Sequence, residues 1–559
     1  MSTADWLFHG GTIHVGAPGQ GSTGALAVTG NRIAALGEEA IALRGPRTEV
    51  VDLAGGALLP GFQDAHIHAV VGGLQQLGCD LAVVHDLEDY RAAIRAFSDD
   101  HPRASWIQGS GWYGDVFPGG FPHRDELDRL VPARPAVFLS HDAHGVWVNT
   151  AALRLAGIRR HTPDPPGGRI MRDASGEATG MLAESATGLV TRLLPPVTGD
   201  QLSQALLRAQ AYLHSLGVTA WQDAAVGAVL GVPDIFGAYR EAAEAGRLTA
   251  RVTGALWWDR DQGLGQLESL GARRAAAGAS APDGSRFRAS AVKIMQDGVC
   301  ENLTAAVVEP YQGQMKGEGE VGGDTGESFI DPAELTGIVR QLDGRGFDVH
   351  MHAVGDRAVR ECLDALAGCG GPPRGARHQV AHIDLIQPGD VARMARLGAI
   401  ANVQPLWARE DKVLVETKLP YLTAGQRQNH FAFGSLLAAG VPLAMGSDWP
   451  VSSPDPLWGI HVAVNRTAPA ADPHAQDEHA QSVPLLAGEA VGVRAAVHAY
   501  TLGAARANRL DAETGSLEAG RLADLVVLDR DPFTVPSAEL SSLRVRATFV
   551  DGSLVHAVG

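Results

Sequence analysis

The sequence predicts an α/β fold: a distorted TIM (β/α)8 barrel, a small β-sandwich domain formed by both termini, and a large insertion after the first barrel strand. Three observations predict it. Apolar strand-like runs alternate with helical patterns across residues 215–506, which implies a parallel sheet, and a barrel is the natural closure of so long a run. Both ends of the chain are β-rich. Between them, a stretch with many Pro and Gly keeps no such rhythm. The resulting division assigns 1–58 and 507–559 to the terminal β domain, 59–72 and 215–506 to the barrel, and 73–214 to an inserted, lid-like pocket subdomain.

In chain order, residues 6–8 and 12–15 read as strands on either side of Gly10-Gly11. Residues 25–28 and 32–36 flank a turn signal at Thr29-Gly30-Asn31. Residues 49–53 form another short strand. At the far end, 523–528 is strand-like and 545–556 reads as a hairpin around Asp551-Gly552. One domain closed by both termini is the economical explanation. The first barrel strand carries the motif at 61–68, which follows an apolar, strand-like run at 56–60, and the barrel continues with strands at 218–222, 291–295, 348–352, 379–382, 399–403 and 442–446. Asp331-Pro332 marks a helix start, and 390–396 reads as helical. Residues 313–328, rich in Gly and Glu, and 467–484 read as loops.

The 46 basic and 63 acidic residues leave a net charge of −17, which argues against a nucleic-acid partner. No apolar run approaches the roughly 18–20 residues of a membrane span. The N-terminal residues lack a basic region followed by an apolar core, so they do not read as a secretory signal. Four scattered cysteines support neither a disulfide framework nor a CxxC zinc site. A cytoplasmic location is the expectation, and any metal must be held by histidines and carboxylates.

His66 and His68 face the same side of an extended segment, because side chains alternate with period two. Two imidazoles there make half of a metal site, although a chain with 21 histidines holds some His-x-His pairs by chance. His352, His382 and Asp448 each end a later strand, where a barrel places its catalytic groups. His350 shares a face with His352 and competes with it as a ligand. Lys293 lies between Val292 and Ile294 inside an apolar strand, where a buried ammonium is costly unless paired. It either reaches solvent, pairs with Asp297, or adds CO2 to become a carbamate whose two oxygens can bridge two cations.

Asp64-x-His66-x-His68, Lys293-x-x-x-Asp297-Gly298, His352-Ala353-Val354-Gly355-Asp356, His382 and Gly446-Ser447-Asp448 occur in that order. The set resembles the amidohydrolase superfamily, in particular its amidohydrolase-3 branch, the YtcJ-like group that includes N-substituted formamide deformylases. Asp142 through Asn149 in the insertion, and residues 515–525, carry the likeness further. The resemblance implies that His66 and His68 bind a more buried metal, that N-carboxylated Lys293 bridges two metals, and that His352 and His382 bind a more exposed one. It implies that Asp448 both touches the buried metal and serves as the catalytic base and acid. Two Zn2+ ions are expected; Mn, Fe or Co suit the same donors, and some members of the superfamily keep one metal.

The predicted function is that of a metal-dependent hydrolase cleaving a C–N bond other than a peptide bond in a linear amide, an N-acyl or N-formyl amine. Hydrolysis of a cyclic amide, carbamate or ester in the same site is the alternative, and a non-catalytic metal-binding or regulatory protein is a second. The expected partner is a small-molecule amide, with room left for a homodimer. His144, Trp112 and Asn149 are the substrate-pocket candidates, with packing inside the insertion as the competing role for each.

Overall fold

A computed structural model describes residues 3–16, 21–117, 120–141, 145–166, 168–229, 231–279, 286–315, 319–320, 323–370 and 375–558. The chain divides into two units, Met1–Ala69 with Ala209–Gly559, and Val70–Arg208.

In the first unit, eight parallel strands stand side by side in chain order: β1 (Phe62–Ile67), β2 (Val218–Val226), β3 (Arg251–Trp257), β4 (Phe287–Met295), β5 (Asp348–Ala353), β6 (Gln379–His382), β7 (Ile400–Val403) and β8 (Leu443–Met445). Every residue of β1, β2 and β5 through β8 is buried, as expected of a parallel sheet covered on both faces. Strand β3 escapes the sequence pattern, because Gly254 and the polar Arg251 and Thr253 interrupt its apolar run.

Strands β8 and β1 share no ladder, so the barrel is distorted there. The seam closes just beyond the strand ends. Asp448 N donates to His66 O at 2.7 Å, and His68 N donates to Trp449 O at 2.9 Å. The Asp64 carboxylate accepts from His66 N at 2.9 Å and Ser447 N at 3.0 Å. From β7, Asn402 Nδ2 donates to Ala65 O at 2.7 Å. Polar side chains thus hold the seam that strand pairing leaves open.

The apolar run before the histidine motif belongs elsewhere. Ala57–Pro60 pairs with Trp6–His14 and Leu525–Leu528 in a terminal sheet, and the barrel strand starts only after Gly61. A Cβ on Gly61 would stand 2.4 Å from the Thr219 side chain, so only glycine passes this junction. The terminal sheet runs, in spatial order, Ser553–Ala557, Val545–Val550, Leu525–Leu528, Ala57–Pro60, Trp6–His14, Ser22–Thr29, Arg32–Leu36, with Glu49–Asp52 also on Trp6–His14. Trp6–His14 is one strand, where the Gly pair suggested two. Its register shifts between His9 and Ile13, and Gly10 takes φ +78° there, as a bulge requires.

This sheet curls over on itself. Three inter-strand steps of about 4.8 Å would separate Phe8 from Phe549 in a flat sheet, yet their rings lie 5.2 Å apart, edge to face. Alternation sorts the strand that carries Phe8. Phe8 packs with Leu26, Val28 and Phe549 inside the curl, while Leu7, Ala25 and Ala27 face Ala40 of a short helix, Gly37–Ala42.

Helices start where the sequence indicates. Asp331 caps Pro332–Gly344 by accepting from Ala333 N at 2.9 Å, and Pro388–Leu397 ends at Gly398 with φ +64°. Residues 467–484, expected as loop, contain the helix Glu478–Ser482, capped by Asp477. Within the other expected loop, Gln314–Met315 pairs with Gly319–Glu320.

The second unit has a six-stranded sheet of its own, ordered Gly168–Arg172, Ala178–Glu184, Gly145–Val148, Ala136–Ser140, Ile107–Trp112, Cys79–Asp80. No sheet was expected here. Strands of two to seven residues are too short for a period to stand out. Phe138 and Trp147 pack on one face with Trp112 and Tyr90; Val137, Val146 and Val148 pack on the other. No helix of the described residues is long and apolar enough to cross a membrane.

Arg251, at the start of β3, fastens the barrel to the terminal sheet. Its guanidinium donates to Asp524 at 2.8 and 3.2 Å and also pairs with Asp551. Arg251→Met is expected to cost about 3–5 kcal/mol, since it strands the buried Asp524 carboxylate. Adding Asp524→Leu should restore much of that loss; denaturant unfolding of the two variants beside the parent measures both effects.

Candidate metal centre

The C-terminal ends of β1, β4, β5 and β6, and the turn after β8, bring the six expected ligands together. Asp448 Oδ1 lies 3.0 Å from His68 Nε2 and 3.4 Å from His66 Nε2. Lys293 Nζ stands 3.3 Å from the same His66 nitrogen. The rings of His66 and His382 are 4.7 Å apart, and donor atoms of His66, His382 and Asp448 all fall within 4.8 Å of one another. His352 joins through His382, with rings 4.5 Å apart.

Hydrogen bonding sets the tautomers. His66 Nδ1 faces His350 Nε2 at 2.9 Å, and His350 Nδ1 faces Gln222 Oε1. An amide oxygen only accepts, so His350 carries its proton on Nδ1, and His66 must donate from Nδ1. That leaves the His66 Nε2 lone pair directed at Asp448 and Lys293. His382 Nδ1 likewise donates to Gln404 Oε1 at 2.9 Å, leaving Nε2. His352 Nε2 donates to Gly298 O at 3.0 Å, leaving Nδ1. Three imidazoles are therefore pre-oriented with one free lone pair each, the arrangement by which protein acceptors prepare histidine ligands. His350 has no nitrogen to spare, so its place is beneath His66, orienting it.

The electrostatics agree. Burial, with Lys293 and neighbouring rings adding to it, holds the His66, His350 and His382 pKa values well below the ordinary imidazole value. Burial and Lys293 lower that of His352 to about 3. All four are neutral at pH 7. Burial pulls the Lys293 ammonium down to about 8, so a minority is free amine at neutral pH, far more than for an ordinary lysine. For Asp448 burial works upward, but His68, His382 and Lys293 outweigh it and hold the carboxyl below its ordinary range. Asp448 Oδ1 and His68 Nδ1 are buried without a hydrogen-bond partner among the described residues. Neutral imidazoles around an ionised carboxylate, one of whose oxygens accepts no hydrogen bond among the described residues, fit a divalent cation.

Asp297 stays outside the donor set. Its carboxylate accepts from Ala306 N, Val354 N and Gly355 N at 2.8–3.0 Å, tying the turn after β5 to the loop after β4, and burial raises its pKa to about 8.

The pocket candidates fare differently. His144 lies outside the described residues. Trp112 is buried in the core of the insertion, and its Nε1 donates to Phe138 O at 2.8 Å. Asn149 is fully buried: its Oδ1 accepts from Ala136 N and Ala152 N, and its Nδ2 donates to Val131 O and Arg134 O. All four of its hydrogen-bonding positions are spent inside the insertion, which leaves none for a substrate carbonyl.

Sequence reasoning passed over the supporting amides. Gln222 holds His350, and Gln404 holds His382. Gln404 is itself oriented by Asn402 at 3.3 Å, which donates to Gln379 at 2.8 Å. Trp407 stacks on His382, 5.3 Å away and within 5° of parallel. The available signal was an amide residue embedded in each of three apolar strands: Gln222 in β2, Gln379 in β6 and Asn402 in β7.

Residues 49–556 match the family model described as "Amidohydrolase family". The YtcJ protein of Bacillus subtilis (strain 168) is 30% identical over 516 residues, covering 91% of each chain. The N-substituted formamide deformylase of Arthrobacter pascens is 29% identical over 95% of this chain and 94% of its own. Among solved structures, an uncharacterized metal-dependent hydrolase from Pyrococcus horikoshii OT3 superimposes with a TM-score of 0.72 at 24% identity, covering 95% of this chain and 99% of that one; it shares the fold.

His350→Leu keeps every candidate ligand but removes the acceptor that orients His66. A loss of metal affinity of about 10- to 100-fold is expected, read by competition against a chromophoric chelator. Unchanged affinity would assign His350 to packing alone.

Proposed function

Because this chain belongs to the amidohydrolase family, we propose that it hydrolyses the C–N bond of a linear amide, an N-acyl or N-formyl amine. The observation that carries this reading is the ionised, buried Asp448 carboxylate, with an oxygen that accepts no hydrogen bond among the described residues, set amid three pre-oriented imidazoles at the barrel's C-terminal end. The formamide deformylase relative, aligned along nearly the whole chain, favours an acyclic formyl or acyl amine over a cyclic substrate.

His66, His68, His382 and Asp448, with His352 and Lys293, would hold one or two divalent cations, with Zn2+ as the first candidate. Bound there, such a cation supplies Lewis acidity and lowers the pKa of water from about 15.7 to about 7. Lys293 as the free amine can add CO2, giving a carbamate and releasing a proton; that contributes two anionic oxygens to the donor set.

The chain's own residues do the remaining work. Asp448 accepts a proton from the attacking water as its oxygen bonds to the carbonyl carbon. It then delivers that proton to the leaving nitrogen as the C–N bond breaks, so the products are a carboxylic acid, which releases its proton to solvent and becomes the carboxylate, and a free amine. His66 and His382 stay neutral and fixed, because Nδ1 of each is committed to a protein acceptor. The Trp407 indole covers one face of His382 and blocks its rotation.

A screen of formamides, N-acyl amines, N-acyl amino acids, lactams and esters, with metal content measured on the same sample, tests the assignment. Turnover of N-formyl or N-acyl amines is expected; turnover of esters or lactams alone would overturn it. Asp448→Asn should lower kcat on that substrate by about 100- to 10,000-fold while leaving the fold intact by circular dichroism. Chelator treatment is expected to abolish activity, and added Zn2+ to restore it.

A further inference from the structure

Five lysine or arginine side chains are buried among the described residues: Arg251, Lys293, Arg409, Lys418 and Arg466. Lys293 lies in the candidate metal centre, and three others have carboxylate partners. Arg251 pairs with Asp524 and Asp551, Arg409 with Asp411 and Asp472, and Lys418 with Asp384 and Glu301. Arg466 has none within ion-pair distance among the described residues, although it is fully buried.

Arg466 ends the helix Pro456–Asn465 in the left-handed region, with φ +60° and its backbone N donating to Val462 O at 2.8 Å. Its Nε donates to Leu485 O at 2.8 Å, while Nη1 and Nη2 have no partner among the described residues. Glu489 acts on it only at longer range and is engaged by Ser435 N and Oγ at 2.8 and 2.7 Å. A guanidinium does not shed its charge in a protein, and an uncompensated charge away from water is strongly destabilising.

His430 lies in the same surroundings. It too is fully buried, and neither Nδ1 nor Nε2 has a partner among the described residues. Its ring stacks on Phe431 at 4.1 Å, the Arg466 guanidinium sits 5.0 Å over Phe433, and the two phenyl rings are 6.1 Å apart. Lys418 and Arg466 both act electrostatically on His430. The site therefore collects the free guanidinium N–H groups and an imidazole N–H, with the charge of Arg466 unmatched by a carboxylate within ion-pair distance among the described residues. A buried water could satisfy the donors but not the charge.

We propose that Arg466 and His430 together bind a small inorganic anion of the chloride class. The anion neutralises the guanidinium and ties the helix that follows β8 to the segment joining β7 to β8. That segment in turn pairs with Leu385, just past β6, through the bridge between His430 and Leu385. The anion is thus a structural ion behind the strand that carries His382, separate from the metal donors.

Crystals grown without chloride and soaked in sodium bromide test this directly. An anomalous bromine peak within hydrogen-bonding distance of Arg466 Nη and a His430 ring nitrogen is expected. Ordered water there, with no anomalous signal, would overturn the proposal. In solution, the calorimetric midpoint should rise by about 1 °C for each tenfold increase in chloride over gluconate at matched ionic strength. Arg466→Met should abolish that dependence. Equal response to both salts, or a chloride response that survives in a folded Arg466→Met protein, would also overturn it. The bromide and salt measurements use the parent chain, so they decide the matter even where the variant fails to fold.

Discussion

The imidazoles of His66, His350, His352 and His382 can share one end of one barrel only because none of them carries a charge. Four cations within ring-contact distance and away from water would repel one another strongly. Desolvation removes the protons, and hydrogen bonds then decide which nitrogen keeps the remaining one. An amide oxygen on Gln222 or Gln404, or the carbonyl of Gly298, fixes each choice. Were Gln404 turned so that its amide nitrogen faced His382, the ring would present its proton, not its lone pair, to the centre. The donor set depends on those neutral acceptors as much as on the histidines.

The same economy appears in the barrel seam. Strands β8 and β1 do not pair, and the gap coincides with the place where His66, His68 and Asp448 must converge. Backbone bonds between Asp448 and His66, and between His68 and Trp449, close the ring through the functional residues themselves. Asp64 supports both sides of that seam; burial pushes its carboxyl up to about 7, which makes it a costly group to bury without the N–H groups of His66 and Ser447 that it accepts from. The distortion of the barrel and the geometry of the site are one feature.

Much of this was legible in the sequence. Histidines and Asp448 at strand ends declared themselves, because a polar group that ends an apolar run is anomalous unless it has a function. The missing strand β3 was hidden by Arg251, Thr253 and Gly254. Arg251 is there to pair with Asp524 and Asp551, residues some 270 positions or more away, a cause no local pattern contains. The sheet of the insertion was hidden by the shortness of its strands. Asn149 looked like a pocket residue because it is polar and lies in a motif; its four hydrogen bonds inside the insertion could be counted only once residues 131–152 were folded together.

The sequence by itself determined the class of fold, the family and the identity of the groups that meet at the barrel's end, because alternation and strand-end chemistry are written locally. Tertiary structure alone decided which nitrogen of each of these histidines is free, that His350 supports His66, and that Arg466 has no carboxylate within ion-pair distance among the described residues. Each of those depends on an atom brought in from another strand or loop, and hydrogen-bond partners at that range leave no periodicity to read.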